Sequence, residues 1–130
     1  MVVMSEGAND IGISGDWHLL DLAASEQEIP FHRMDLRLAG DRSACRGAIV
    51  NRNNGTEIPL AAVLFDGTEL RVQMSAPPNR AQSAMPWLVM RRNGARFDGQ
   101  WRQDGQSVGP TMKLIRPQPG AAYAPPISHP

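Results

Sequence analysis

The side chains able to do chemistry in this sequence are few and scattered. It has three histidines, His18, His32 and His129, and a single cysteine, Cys45. Histidine works as an acid or base near neutral pH, and a thiolate beside a histidine works as a nucleophile. No two of these residues stand at metal-ligand spacing, so no metal site is expected, and none of the serines sits in a strand-to-helix nucleophile elbow. No glycine-rich phosphate loop occurs, and no cofactor is implied. Arg91, Arg92, Arg96 and Arg102 cluster, but Glu69 and Asp98 share comparable outer faces, which reads as a mixed solvated surface. Catalytic residues are therefore unknown from sequence, and whether the protein is an enzyme is left open.

Positioning falls to strands. In residues 95–116, Phe97, Gly99 and Trp101 alternate against Arg96, Asp98, Gln100 and Arg102, and after Asp104-Gly105 the residues Met112, Leu114 and Arg116 alternate against Thr111, Lys113 and Ile115. This predicts a hairpin. Arg116 falls on the apolar face and needs an aromatic surface, for which Trp17 is available. Further strands are expected at 16–23, 31–38, 44–51, 58–65, 69–75 and 85–91, with Gly47 marking a bend or bulge. Turns fall at Gly40-Asp41, Asn53-Asn54-Gly55, Asp66-Gly67 and Asn93-Gly94, and residues 76–84 form a loop suited to a flap over one end. Asn54-Gly55-Thr56 matches a glycosylation pattern, which the turn explains better.

Short hairpins in series make neighbours antiparallel, and eight such strands can close into an all-β, eight-stranded antiparallel up-and-down barrel, with an open, strongly bent sheet as the main alternative. The barrel interior is just wide enough for side chains or one small ligand. Alternation sends His32, Met34, Leu36, Leu70 and Met74 inward, with Trp87 and Met90 from the sixth strand, whose register leaves open whether both point in. Methionine adapts to irregular apolar shapes, so this lining suits a small hydrophobic or amphipathic molecule, with His32 as polar anchor. The same residues would also fill a narrow barrel. His18 is expected at the surface or rim, and Cys45 as a small buried thiol that neighbouring strands bring near His32.

At 130 residues and 42% hydrophobic the chain suits one domain, read as a flexible leader at 1–14, a barrel at 15–116 and a Pro-rich, extended or disordered tail at 117–130. A net charge of zero argues against nucleic acid or a membrane surface as partner. One cysteine forms no internal disulfide, and no apolar signal core or membrane-spanning run is visible. This reads as a soluble, cytoplasmic protein, or a periplasmic or secreted one if a leader was removed. A homo-oligomer is compatible with the sequence.

Gly15-Asp16-Trp17 opening the first strand and Arg116 closing the last resemble the signature of calycin barrels, which include lipocalins, fatty-acid-binding proteins and avidins. Ile58-Pro59-Leu60, Gly67-Thr68-Glu69-Leu70, Phe97-Asp98-Gly99-Gln100-Trp101 and Leu114-Ile115-Arg116 are similar to small lipocalin-like domains of bacteria, sometimes fused to serine hydrolases. The resemblance spans roughly residues 15–116 and implies a ligand-binding barrel closed at one end by Trp17 beneath Arg116. Lipocalin disulfides and a leader are missing. Two other functions fit the pattern: a barrel enzyme of cyclase or isomerase type, and a solid barrel whose outer face or tail binds a protein.

Overall fold

The computed structural model describes residues 12–40 and 44–123. The strands are β1 (Gly15–Asp21), β2 (Glu28–Ile29), β3 (Met34–Gly40), β4 (Cys45–Asn51), β5 (Glu57–Phe65), β6 (Glu69–Met74), β7 (Trp87–Asn93), β8 (Arg96–Gln103), β9 (Gln106–Ile115) and β10 (Ala122–Tyr123), with one 3-10 turn at Gln82–Ala84. Eight of them form a closed barrel in the order β1, β3, β4, β5, β6, β7, β8, β9, and β9 pairs back onto β1. Every pairing in the barrel is antiparallel. The eight-stranded up-and-down barrel expected from alternation is thus the fold.

The turns form for the reasons their residues suggest. Asp104 and Gly105 have φ of 53° and 77°, the pair of left-handed positions that a two-residue hairpin matched to strand twist requires. At Asp66-Gly67 the aspartate Oδ1 accepts the backbone N–H groups of Thr68 and Glu69. The Asn54 side chain likewise accepts from Thr56 N and Oγ1, fixing the β4–β5 hairpin. The expected Gly40-Asp41 turn runs into residues outside those described.

Two local expectations are corrected. The strand expected over 31–38 begins only at Met34: Phe31 and His32 lie in a bend, and Arg33, whose carbonyl still accepts from Arg52 N at 2.9 Å, donates from Nη1 back to Pro30 O. Gly47 marks no bulge: it pairs regularly with Leu38, and the register shifts lie between Leu60 and Ala62 and between Gly99 and Trp101. Gly47 is instead a point of close approach, where a Cβ would sit 2.8 Å from Leu38 Cδ2 and 3.1 Å from Leu60 Cδ1. Ahead of β1, Ile13 is fully buried and Ser14 Oγ accepts from Gly40 N at 3.0 Å.

The inner face is packed with Leu36, Ile49, Leu70, Val72, Leu88, Met90, Phe97 and Leu114, all shielded from solvent. Each such side chain contributes roughly 1.5–3 kcal/mol by leaving water. The N-terminal end of β1 is closed. Trp17 donates its indole N–H to Ile13 O at 2.8 Å and meets Phe97 edge to face at 5.4 Å. The Arg116 guanidinium lies 3.9 Å from the Trp17 ring centroid and donates to Ser14 O and Gly12 O. Arg92 lies over Phe97 and Phe65 at the same end.

A second, smaller layer sits outside the barrel wall. β2 and β10 pair in parallel, and Ile29 packs with Leu20 and Ile115 in a satellite cluster supported by Ala24 and Ala121. After β9 the chain turns at Pro119-Gly120, and Ala122–Tyr123 dock on β2; residues 124–130, including His129, lie outside those described. No helix among the described residues is long and apolar enough to cross a membrane.

Candidate functional site

In an up-and-down barrel successive connections alternate between the two ends. The connections leading out of β1, β4, β6 and β8 share the end opposite Trp17. Here the inner face changes character. Met34, Leu60, Met74, Trp101 and Met112 pack on the core but are only partly buried. Val108, opposite Trp101 in the ladder, is 47% exposed. These residues form an apolar mouth whose floor is the fully buried layer of Leu36, Leu70, Leu88 and Met90.

Two polar groups belong to this mouth. Among the described residues nothing accepts a hydrogen bond from Trp101 Nε1, in contrast to Trp17, whose indole is satisfied. Asp21 pairs with Met112 in the β1–β9 ladder, so its exposed carboxylate shares the inward face at the rim. The long loop after β6 stands at this rim and is pinned there. Gln73 Nε2 donates to Gln82 O and Met85 O, Gln82 Nε2 donates to Met74 O, and Gln103 Nε2 donates to Ala84 O.

Gly99 helps shape the floor. A Cβ there would fall 2.8 Å from Met90 Cα and would also collide with Val89 O, so only glycine lets β7 and β8 approach with Met90 folded between them.

The residues expected to line a ligand separate into three sets. Met34 and Met74 lie at the mouth, and Leu36, Leu70 and Met90 lie in the packed floor. Trp87 and His32 are elsewhere. Trp87 pairs with Gln73 and Arg102 while its neighbour Leu88 points in, which puts Trp87 on the outer wall beside Arg71, Val89 and Arg102 in a shallow groove of about 390 Å³. His32 is exposed ahead of β3, stacked edge to face on Phe31 at 5.2 Å, in the bend at Phe31 and His32 that precedes the alternating strand. Cys45 pairs with Gly40 at the closed end, and His32 lies beyond Met34 at the mouth end, so the two do not form a nucleophile pair. Cys45 is partly buried against the core.

The outer wall holds what the sequence reading missed. His18 and Asp35 face each other across β1 and β3, with Nδ1 2.8 Å from Oδ1 and both residues buried. Asp35 also accepts from Arg33 Nε at 3.0 Å and from Arg52 Nε at 2.8 Å. Burial raises the Asp35 pKa, but hydrogen bonds from His18, Arg52 and Arg33 outweigh it and bring the group down to about 2. His18 Nε2 lies 3.1 Å from Tyr123 Oη. The signal for this cluster was the shared outer face of adjacent strands, which alternation offered for Asp35 and His18 alike. Tyr123 carried none, because a two-residue strand has no period to read.

Of the clustered arginines, Arg92 lies over Phe65 and Phe97, Arg102 donates to Gly105 O and Ser107 Oγ, and Arg96 pairs with acids. Arg96 meets Asp98 at 2.8 Å and Glu26 at 3.4 Å, and hydrogen bonding to Asp98 raises its pKa. The buried Lys113 Nζ donates to Ala24 O at 2.6 Å and to Glu26 at 3.2 Å, tying the β1–β2 connection to the wall.

No family model matches the chain, and no curated protein or solved structure matches it.

Proposed function

We propose that this barrel binds a small apolar or amphipathic molecule at its open end, seated between Met34, Leu60, Met74, Trp101 and Met112. The observation that carries the reading is the asymmetry of one continuous inner face: toward one end the buried Trp17 and Phe97 lie beneath Arg116 and Arg92, and toward the other the lining is methionine-rich and only partly buried. Thioether and indole side chains adapt to irregular apolar ligands. The ligand sits shallowly, above the packed layer of Leu36, Leu70 and Met90, with Trp101 Nε1 as donor and Asp21 as the rim charge. The lipocalin-like resemblance supports the reading through the barrel closure and the placement of Arg116 over Trp17.

A titration with the neutral dye Nile red tests it. Saturable binding with a blue-shifted emission is expected, weakened at least tenfold by Met112→Glu while the thermal midpoint stays within a few degrees. Equal binding by the wild type and by Met112→Glu would remove the mouth from the proposal, and no saturable binding by the wild type would remove the function.

A further inference from the structure

Tyr123, His18 and Asp35 form a hydrogen-bonded chain on the outer face of the wall, the side opposite that on which the neighbouring Met34 faces the barrel interior. Its proton positions follow from the distances. An ionised carboxylate only accepts, so the 2.8 Å contact between Asp35 Oδ1 and His18 Nδ1 requires the ring proton on Nδ1. Arg33 Nε, 3.2 Å from that same nitrogen and 3.0 Å from Oδ1, must then donate to the carboxylate. In the neutral ring this leaves the lone pair at Nε2, where Tyr123 Oη–H donates. A base held in one tautomer by a buried carboxylate and aimed at a hydroxyl is the arrangement that activates hydroxyl nucleophiles.

Burial and charge support more than a structural tie. The His18 and Asp35 side chains are 4% and 3% exposed, whereas Tyr123 is 46% exposed, so solvent reaches the phenol but hardly reaches its base. The Arg33 guanidinium stands 5.1 Å from the Tyr123 ring centroid, where positive charge favours the phenol oxygen as it loses its proton. The His18 ring meets the Tyr123 ring edge to face at 5.7 Å, a contact that holds the phenol beside Nε2.

The geometry points to Tyr123 as a nucleophile toward small uncharged carboxylic esters, with His18 as its base and Asp35 as the positioning residue. The step is an acyl transfer. Tyr123 Oη bonds to the ester carbonyl carbon as its proton passes to His18 Nε2. The carbon–oxygen bond to the alcohol then breaks, and the departing oxygen takes the proton from Nε2, leaving O-acyl Tyr123 and a neutral alcohol.

The test is acetylation of the full chain by para-nitrophenyl acetate, followed by nitrophenol release and peptide mass spectrometry. The chain contains one tyrosine, so the site is unambiguous. Acetyl-Tyr123 is expected to form about a hundredfold faster than acetylated N-acetyltyrosine amide under the same conditions, the size of a general-base contribution. The rate should follow the titration of a group absent from that reference, and His18→Gln should bring it down to the reference rate. Asp35→Asn should lower it with a changed pH profile. Should His18→Gln not fold, the wild-type ratio still decides. Acetylation of Tyr123 at the reference rate, or acetyl found only on Cys45, Lys113 or the terminal amine, overturns the proposal.

Discussion

Trp17 and Trp101 both point into the barrel, one toward each end. Around Trp17 the chain brings in groups from outside the ladder: Ile13 O accepts the indole proton, Arg116 lies on the ring and Phe97 meets its edge. Around Trp101 no such groups arrive from the described residues. The loop beside it spends its hydrogen bonds on Gln73, Gln82 and Gln103 along the rim, and the indole N–H is left without a partner among the described residues. An end is closed when flanking chain supplies both cover and polar partners, and stays open when the connections satisfy only themselves.

If this contrast is right, substitutions at the two ends should differ in kind. Trp17→Ala removes a buried aromatic and its hydrogen bond, and a loss of about 3–5 kcal/mol is expected in urea unfolding. A loss near that of an exposed site would erase the distinction between the ends. The outer wall gives the next effect. Asp35 has a folded pKa of about 2, below its unfolded value near 3.9, so its stabilisation is present above about pH 4 and disappears as pH falls through 2. Asp35→Asn should cost about 2–3 kcal/mol at neutral pH and flatten the acid limb of a pH–stability curve. A curve with its acid limb unchanged would place the acid sensitivity elsewhere. Arg116→Met keeps the apolar stem but loses the cation and its donors, for about 1–2 kcal/mol by thermal unfolding. Smallest in stability is Trp101→Phe, at roughly 0.5 kcal/mol or less, yet it should weaken Nile red binding several-fold by removing the donor. The reverse pattern, stability lost and dye binding kept, would make Trp101 a core residue.

Strand existence and the barrel were legible because period two is strong in β3, β6 and β8, and because Asp104-Gly105 and Asn93-Gly94 punctuate it. The placing of Arg116 over Trp17 was legible for the same reason: a charge on an apolar face needs an aromatic surface. The position of His32 was not, since the chain bends at Phe31 and His32 before β3 begins, and an alternating pattern does not mark where a strand starts. Trp87 and Met90 could not be sorted without the ladder that sets Leu88 against Trp101. The mouth and the His18 cluster were hidden for a deeper reason. Alternation tells which face a residue takes, but exposure along that face depends on what covers each end, and the docking of Tyr123 on β1 joins positions more than a hundred residues apart.

The pairing of His18 with Ile115 has a consequence for how the chain is made. During synthesis β1 emerges first and its partner β9 last, so the growing sheet keeps one open edge on β1 until residues 112–115 leave the ribosome. Long-range pairing of this sort is slow, and unpaired edges recruit other chains. Truncations ending before β9 should therefore aggregate on expression, while chains that include it remain monodisperse.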